Sequence, residues 1–335
     1  MKRKANAAPP KKHGSGYAGR RVLITGGLGF IGSTLARTLV ARGAKVRVLD
    51  SLLPQSGGSL RNVDGIQRQL EIHVEDTRDR DMVYRAVEGC DLVFHLAGPS
   101  APGVMQTDWY SELDIACLGT LHVLDAVRVQ APGARVVIGS SHHVYARGTR
   151  SPVKETSPTD PATLFGAHKL AAEKYGVVYG SAHGVDTVIA RLASVFGPRQ
   201  RVKGAQRGTF AHVLDAALHG EDVHVPPGAR EDLLYVDDAA YALAALGLNP
   251  KARGQVVNVG SGGCVALADV ATAIVAAGAS AKGRQPSRVS IKRVSSAFWL
   301  DTSRLRKLGA APKARDMGAA LSETAAWFRG THGAV

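Results

Sequence analysis

The sequence predicts an α/β protein, a doubly wound parallel sheet with a smaller C-terminal α/β lobe. Three observations predict it. Over residues 21–196, short apolar runs alternate with longer helical stretches. The runs are apolar almost continuously rather than at every second residue, which is the pattern of strands buried on both faces. The first run ends in a glycine-bearing turn that leads straight into a helix. Ligands of such sheets bind beyond the C-terminal ends of the strands.

The first strand and its turn read Arg21 to Ser33, RVLITGGLGFIGS. Gly26 lets the chain turn tightly, Gly29 has no Cβ to keep a pyrophosphate from the backbone, and Gly32 allows the helix to pack closely on the strand. The helix opening near Phe30 and Ile31 offers that anion free N–H groups and a partial positive charge. A second strand, Lys45 to Leu49, ends in Asp50, where a carboxylate accepts the adenosine ribose hydroxyls. Strand, turn, helix and acid together point to a Rossmann-type dinucleotide site. Asp50 is followed by Ser51-Leu52-Leu53, with no arginine for a 2′-phosphate, which favours NAD over NADP.

A loop from Ser51 to Gly65 leads to a strand at Leu70 to Val74 and a helix from about Arg78 to Glu88. The strand Asp91 to Ala97 follows, then one or two helices over about Thr107 to Arg128. The strand Arg135 to Gly139 ends in Ser140-Ser141. A long helix (about Ala162 to His183) and a strand (Thr187 to Leu192) complete this half. Asp50, Asp76, Ala97, Ser141 and Ser194 all lie just past strand ends, so they are expected to converge on one crevice.

From about Gly197 the pattern is less regular. It gives a helix (Gly208 to His219), short strands around His224 and Leu234, a helix (Asp237 to Leu246), a strand (Gln255 to Val259) and two further helices. The expected organisation is a basic disordered tail over 1–20, a cofactor-binding domain over 21–196 and a substrate lobe over 197–335. The unit near 237–259 is a candidate to return to the main sheet.

The composition, 45% hydrophobic and 21% charged over 335 residues, is that of an ordinary globular protein. No apolar run reaches about 18 residues, so no membrane span is expected. The N-terminus shows no apolar secretory core. Cys90, Cys117 and Cys264 are few and far apart, which suggests a reducing, cytoplasmic setting and no metal site. The net charge of +14 is uneven, with basic stretches over 2–21 and 282–315. A nucleic-acid surface is one reading. Attraction of an anionic substrate such as a nucleotide diphosphate is another. The tail itself reads as solvated, and nucleic acid ranks last among partners.

The order and spacing of several motifs resemble the extended short-chain dehydrogenase/reductase family, within its group of nucleotide-sugar epimerases, dehydratases and decarboxylases. The resemblance runs from about Arg21 to Phe328. TGGLGFIG and Asp50 match its NAD fingerprint, and Asp76-Thr77 the pair beside the adenine. HLAG, with Leu96, Ala97 and Gly98, matches the strand lining the cofactor. SSHHVY matches the strand end whose hydroxyl residue, here Ser141, assists catalysis. FGAHK matches the Tyr-x-x-x-Lys segment, and RLASVFGP the Arg-x-x-Asn-x-x-Gly-Pro turn. LYVDDAAYAL and VVNVGSG match landmarks of the second lobe. The resemblance implies hydride transfer from a sugar carbon to NAD, with a tyrosine taking the hydroxyl proton. It also implies a homodimer through the two long helices.

The chain departs from that pattern where the chemistry lies. Position 165 is Phe, which has no ionisable group, while Lys169 and Ser141 remain. Three readings compete: an introduced substitution, another base such as His142 or His143, or a protein that binds NAD and a ligand without turnover. His142 and His143 stand where some dehydratases of the family carry an Asp-Glu pair. His168 reads as structural. The family's Asn residues are replaced by Ala116 and Ser194. Its diphosphate-binding Arg aligns with Glu231, leaving Arg230, Lys292 and Arg293 as the nearby cations. The favoured function is an NAD-dependent nucleotide-sugar-modifying enzyme, an epimerase first. The alternatives are a non-catalytic or impaired NAD/nucleotide-sugar-binding protein and a 4,6-dehydratase or decarboxylase.

Overall fold

The computed structural model describes residues 16–54, 56–99, 108–201, 209–219, 221, 223–225, 228–276, 289–291, 297–313 and 315–332. Strand and helix alternate through the first half: β1 (Arg21–Thr25), α1 (Phe30–Ala41), β2 (Lys45–Leu49), β3 (Leu70–His73), α2 (Arg80–Val87) and β4 (Leu92–His95). Next come α3 (Trp109–Leu113), a π-helical turn (Asp114–Leu118), α4 (Gly119–Gln130), β5 (Arg135–Ser141), α5 (Leu164–His183) and β6 (Asp186–Leu192). The expected one or two helices over 107–128 are thus a helix, a π turn and a second helix. Asp79 sets the start of α2 by accepting from the N–H groups of Asp81 and Met82. Thr163 does the same for α5 through Gly166, and Gly184, with φ +72°, ends it.

The second half holds β7 (Ser194–Phe196), α6 (Thr209–His219), β8 (Val223–Val225), β9 (Arg230–Glu231), β10 (Leu233–Tyr235) and α7 (Val236–Leu248). It continues through β11 (Val256–Val259), β12 (Val265–Ala266), α8 (Leu267–Ala276), β13 (Val289–Ile291), α9 (Ser303–Lys307) and α10 (Met317–His332). Three helices therefore follow β11 among the described residues, one more than the pattern suggested. The extra one, α9, is a single short turn with too few apolar positions to register.

Seven parallel strands form the main sheet in the order β11-β6-β5-β4-β1-β2-β3. Val22, Leu23, Ile24, Val93, Phe94, Val136 and Val137 are fully buried, as strands covered by helices on both faces must be. The order reverses direction at β1 and β4, and the crevice opens there. β11 joins the outer edge of β6 with Val257 opposite Ala190, and α7 buries Ala239 and Leu243 in one core with Leu35 and Leu39 of α1. The unit near 237–259 thus belongs to the main sheet.

A second core gathers Phe196, Phe210, Leu214, Tyr235, Leu267, Ile274, Leu321 and Phe328, and Phe30 and Ile31 of α1 pack against it. The second lobe therefore rests on the first turn of α1. One expectation needs correction. Residues Gly16 to Arg20, assigned to a disordered tail, are part of the fold: Tyr17 is buried and its hydroxyl donates to the Ala244 carbonyl at 2.6 Å. Residues 1–15 lie outside the described residues.

Candidate active site

The turn after β1 is shaped by close contacts between backbones. Gly26 has φ +69°, its N–H donates to the Leu49 carbonyl at 2.8 Å, and a Cβ on it would lie 2.8 Å from the Ala97 nitrogen. A Cβ on Gly32 would lie 2.1 Å from the Gly26 carbonyl. The third glycine is thus demanded by the turn itself, not by the strand as the spacing suggested. Gly27 has a comparable constraint that the sequence reading missed, since its Cβ would stand 2.6 Å from Val48 Cγ1. Gly29 is different. It opens α1 without a side-chain cap, and a Cβ there would meet only the Gly26 carbonyl, at 3.2 Å. The first-turn N–H groups of α1, from Phe30 and Ile31 onward, thus have no capping side chain, and a backbone approach at Gly29 is open. That is the environment a pyrophosphate requires.

Asp50 stands at the end of β2 with its carboxylate fixed by the N–H groups of Leu28 (2.9 Å) and Leu52 (3.0 Å). Each oxygen keeps acceptor capacity for a ribose hydroxyl. Burial raises its pKa above the ordinary carboxylate value. Asp76 is held by Arg78 at 2.8 Å, and the Thr77 carbonyl accepts from His122. The N–H of Leu96 donates to the Thr25 carbonyl, and that of Ala97 to the Thr25 hydroxyl. Gly98, with φ +150°, leaves room for Lys169, whose Nζ would sit 3.2 Å from a Cβ at that position. His95 lies below this strand end, its two nitrogens 2.8 and 2.9 Å from the hydroxyls of Thr25 and Thr120. Burial pushes its pKa down to about 3.

Beyond β5 the catalytic candidates gather. Ser141 opens a 3-10 turn, His142–Val144, and its hydroxyl accepts the N–H of His143 at 3.3 Å. Lys169, on α5, donates to the Gly139 carbonyl at 3.0 Å, and its enclosure pulls its pKa down to about 8. Its Nζ lies 5.9 Å from the centroid of the Phe165 ring, which is itself buried. The His143 ring meets the Phe165 ring at 5.6 Å and 83°. His142 is engaged differently: its Nδ1 lies 3.3 Å from the Leu192 carbonyl, and its ring meets those of His143 at 4.2 Å and Phe298 at 5.2 Å, both tilted. Burial, with His143 beside it, lowers its pKa to about 3. His168 faces Glu112 of α3 at 3.6 Å, away from this group.

A buried polar network under the site escaped the sequence reading. Glu173 accepts from the Ser140 hydroxyl and from Arg191 at 2.9 and 2.7 Å. Arg191 lies over the Tyr145 ring, and the Tyr145 hydroxyl donates to Asn258 at 2.6 Å. Asn258 in turn donates to the Val153 carbonyl. The chain β5, α5, β6 and β11 is thereby pinned at the ends that form the crevice. One signal was available, since Glu173 follows Lys169 by one helical turn.

The substrate-side candidates are more scattered. Ser194 begins β7, where its N–H donates to the Asp232 carbonyl. Arg230 is exposed on β9 and turns its guanidinium to Cys264. Lys292 and Arg293 lie outside the described residues. Ala116 sits in the π-helical turn, its carbonyl accepting from Thr120. Among the described residues no group of three or more His, Cys, Asp or Glu is placed to hold a metal. No helix among them is long and apolar enough to cross a membrane.

The model of the NAD dependent epimerase/dehydratase family matches residues 22–260. The chain belongs to that family. Membership makes NAD the cofactor, and the uncapped helix, the open Gly29 and the fixed Asp50 fit it. The UDP-glucose 4-epimerase of Mycolicibacterium smegmatis is 30% identical over 92% of this chain and 98% of its own length. Among solved structures, an epimerase from Methanothermobacter thermautotrophicus superposes with a TM-score of 0.85 at 26% identity, over 95% of this chain and 94% of that one. The Thermus thermophilus UDP-glucose 4-epimerase in complex with NAD gives 0.76 at 31% identity, over 94% and 100%. The doubly wound sheet is thus the fold of this epimerase/dehydratase family.

Proposed function

We propose that this protein is an NAD-dependent enzyme acting on a nucleotide sugar, and that its reaction is epimerisation through a transient keto sugar. The observation that carries the reading is the pairing of an intact cofactor cradle with Ser141 and Lys169 around Phe165. NAD, when bound, would supply a reversible hydride acceptor for a sugar carbinol carbon. The chain's residues supply the rest. Gly26, Gly29 and Gly32 shape the pyrophosphate turn, and Asp50 takes the adenosine ribose. Asp76, Thr77, Leu96, Ala97 and Gly98 line the remaining cofactor surface. Lys169 holds the nicotinamide ribose and supports negative charge on the reacting oxygen. The Ser141 hydroxyl holds the carbinol oxygen. Ser194 and Arg230 are the described residues read as meeting the nucleotide diphosphate, whose charge suits a strongly basic protein.

The likeness to UDP-glucose 4-epimerases favours a UDP-hexose. The protein is further read as a cytoplasmic homodimer. In support, α3 exposes Trp109, Tyr110 and Leu113, and α5 exposes Val177 and Val178.

The test is direct. Purified protein releases NAD on denaturation, and UDP-glucose or UDP-galactose raises absorbance at 340 nm and is converted to its epimer. A deoxy-keto product, or a decarboxylated one when UDP-glucuronic acid is supplied, would assign the dehydratase or decarboxylase branch instead. Phe165 and Ala116 favour a second reading, a protein that binds both ligands without chemistry. Tight binding of UDP-hexose with no change at 340 nm would select it.

A further inference from the structure

The reading above leaves the proton without an acceptor, because Phe165 offers no oxygen. We propose that His143 is the general base, taking the sugar hydroxyl proton in place of the missing phenol. The inference rests on the nucleotide-sugar reading.

Position comes first. His143 is two residues past Ser141, whose hydroxyl accepts its backbone N–H, so the ring is carried on the turn that holds the carbinol oxygen. It stands against the Phe165 ring at 5.6 Å, on the aromatic position where the family places its base. Availability comes second. Neither ring nitrogen of His143 has a hydrogen-bond partner among the described residues, and neither is fully enclosed. Its neighbours are otherwise engaged. His142 spends Nδ1 on the Leu192 carbonyl, is the more deeply buried of the two, and lies in tilted contact with the rings of His143 and Phe298. Glu173 is saturated by Ser140 and Arg191. Glu112 faces His168. Lys169 donates to Gly139. Burial also lowers the His143 pKa, which favours the neutral ring a base requires.

The step balances. The carbinol O–H bond breaks and its proton goes to the free His143 nitrogen. The carbinol C–H bond breaks and its hydride goes to NAD, and the C–O bond becomes C=O. The return half delivers hydride to the opposite face of the carbonyl carbon, and the proton goes back from the imidazolium to oxygen.

The experiment compares wild type, His143→Gln and the double variant His143→Gln/Phe165→Tyr as NAD-loaded proteins. UDP-galactose is added, with absorbance read at 340 nm. His143→Gln is expected to reduce its NAD at least about a hundredfold more slowly, while UDP affinity by calorimetry stays within about threefold. The double variant recovers at least a tenth of the wild-type rate, which a merely structural defect would not allow. A second readout needs no turnover. In protein labelled with 15N-histidine, the His143 ring signals shift with UDP-galactose and stay put with UDP alone. Wild-type reduction matched within threefold by His143→Gln, or ring signals indifferent to the hexose, overturns the inference alone. If wild type neither binds UDP nor responds at 340 nm to UDP-galactose, UDP-glucose or their N-acetyl forms, the nucleotide-sugar reading falls and this inference with it.

Discussion

Lys169 holds its ammonium 5.9 Å from the centroid of the Phe165 ring, one helical turn away on α5, and anchors it on the Gly139 carbonyl at 3.0 Å. The pair keeps the packing of a tyrosine–lysine couple without its acid–base chemistry. A phenol at 165 would enter a prepared electrostatic setting, since a neighbouring ammonium favours the phenolate. Phe165→Tyr is therefore expected to speed reduction of bound NAD by UDP-galactose at least about tenfold at pH 8, within the range that a positioned base contributes. Stopped-flow absorbance at 340 nm measures it. An unchanged rate would mean that a phenol at 165 does not reach the reacting hydroxyl.

Gly32 gives a sharper structural prediction. Its Cβ would lie 2.1 Å from the Gly26 carbonyl, a backbone atom that cannot step aside. Gly32→Ala should lower NAD affinity at least about a hundredfold and cost about 2 kcal/mol or more of stability. Gly29→Ala has no such clash, only a 3.2 Å contact, and should weaken NAD while leaving the melting temperature nearly unchanged. Calorimetry and thermal melts separate the two.

The acid side of the stability curve should carry the signature of His95. Its pKa is about 3 in the folded protein against an ordinary 6.5, because burial disfavours the imidazolium. Below pH 6.5 the unfolded chain takes up a proton that the native ring refuses. The stability this ring contributes is complete above pH 6.5 and is lost as pH falls toward 3, at up to about 1.4 kcal/mol per pH unit. His95→Gln should remove about 2 kcal/mol of the fall between pH 6.5 and 5. Urea melts at the two pH values decide it.

Glu173 and Arg191 form a buried ion pair at 2.7 Å with both side chains nearly inaccessible. Removing one charge strands the other. Glu173→Gln should cost about 3–5 kcal/mol, whereas Glu173→Asp, which keeps the charge, should cost less. Equal losses in chemical denaturation would mean that packing, not charge, is what Glu173 supplies.

Tyr110 is 83% exposed on α3 and Val178 52% exposed on α5. If these helices bury against a second copy, Tyr110→Lys together with Val178→Glu should turn a dimer into a monomer by sedimentation, with the circular dichroism unchanged. A wild-type protein that sediments as a monomer at micromolar concentration refutes the interface.

The sheet and the dinucleotide turn were legible because they are written locally, as apolar runs and as glycines at fixed spacing. The position of Asp50 at the end of β2 was legible for the same reason. What could not be read depends on partners distant in sequence. Gly27 is fixed by Val48, Tyr17 by Ala244, and the Ser140–Glu173–Arg191–Tyr145–Asn258 network by four elements meeting at one level. The two histidines after Ser141 are adjacent in sequence and alike in chemistry. Only the fold separates them, by giving one a carbonyl to bond and setting the other against the Phe165 ring.

The main sheet takes its last strand from beyond the start of the second lobe. β11 seals the outer edge of β6, and α7 shields Leu35 and Leu39 of α1. A fragment cut after residue 196 would leave the Asp186–Leu192 backbone unzipped along one side and open an oily groove to water. Exchanging substrate preference between relatives by a single crossover is therefore closed to this architecture. A working chimera needs two splice points, one on each side of the α7–β11 segment, so that the recipient keeps its own return strand.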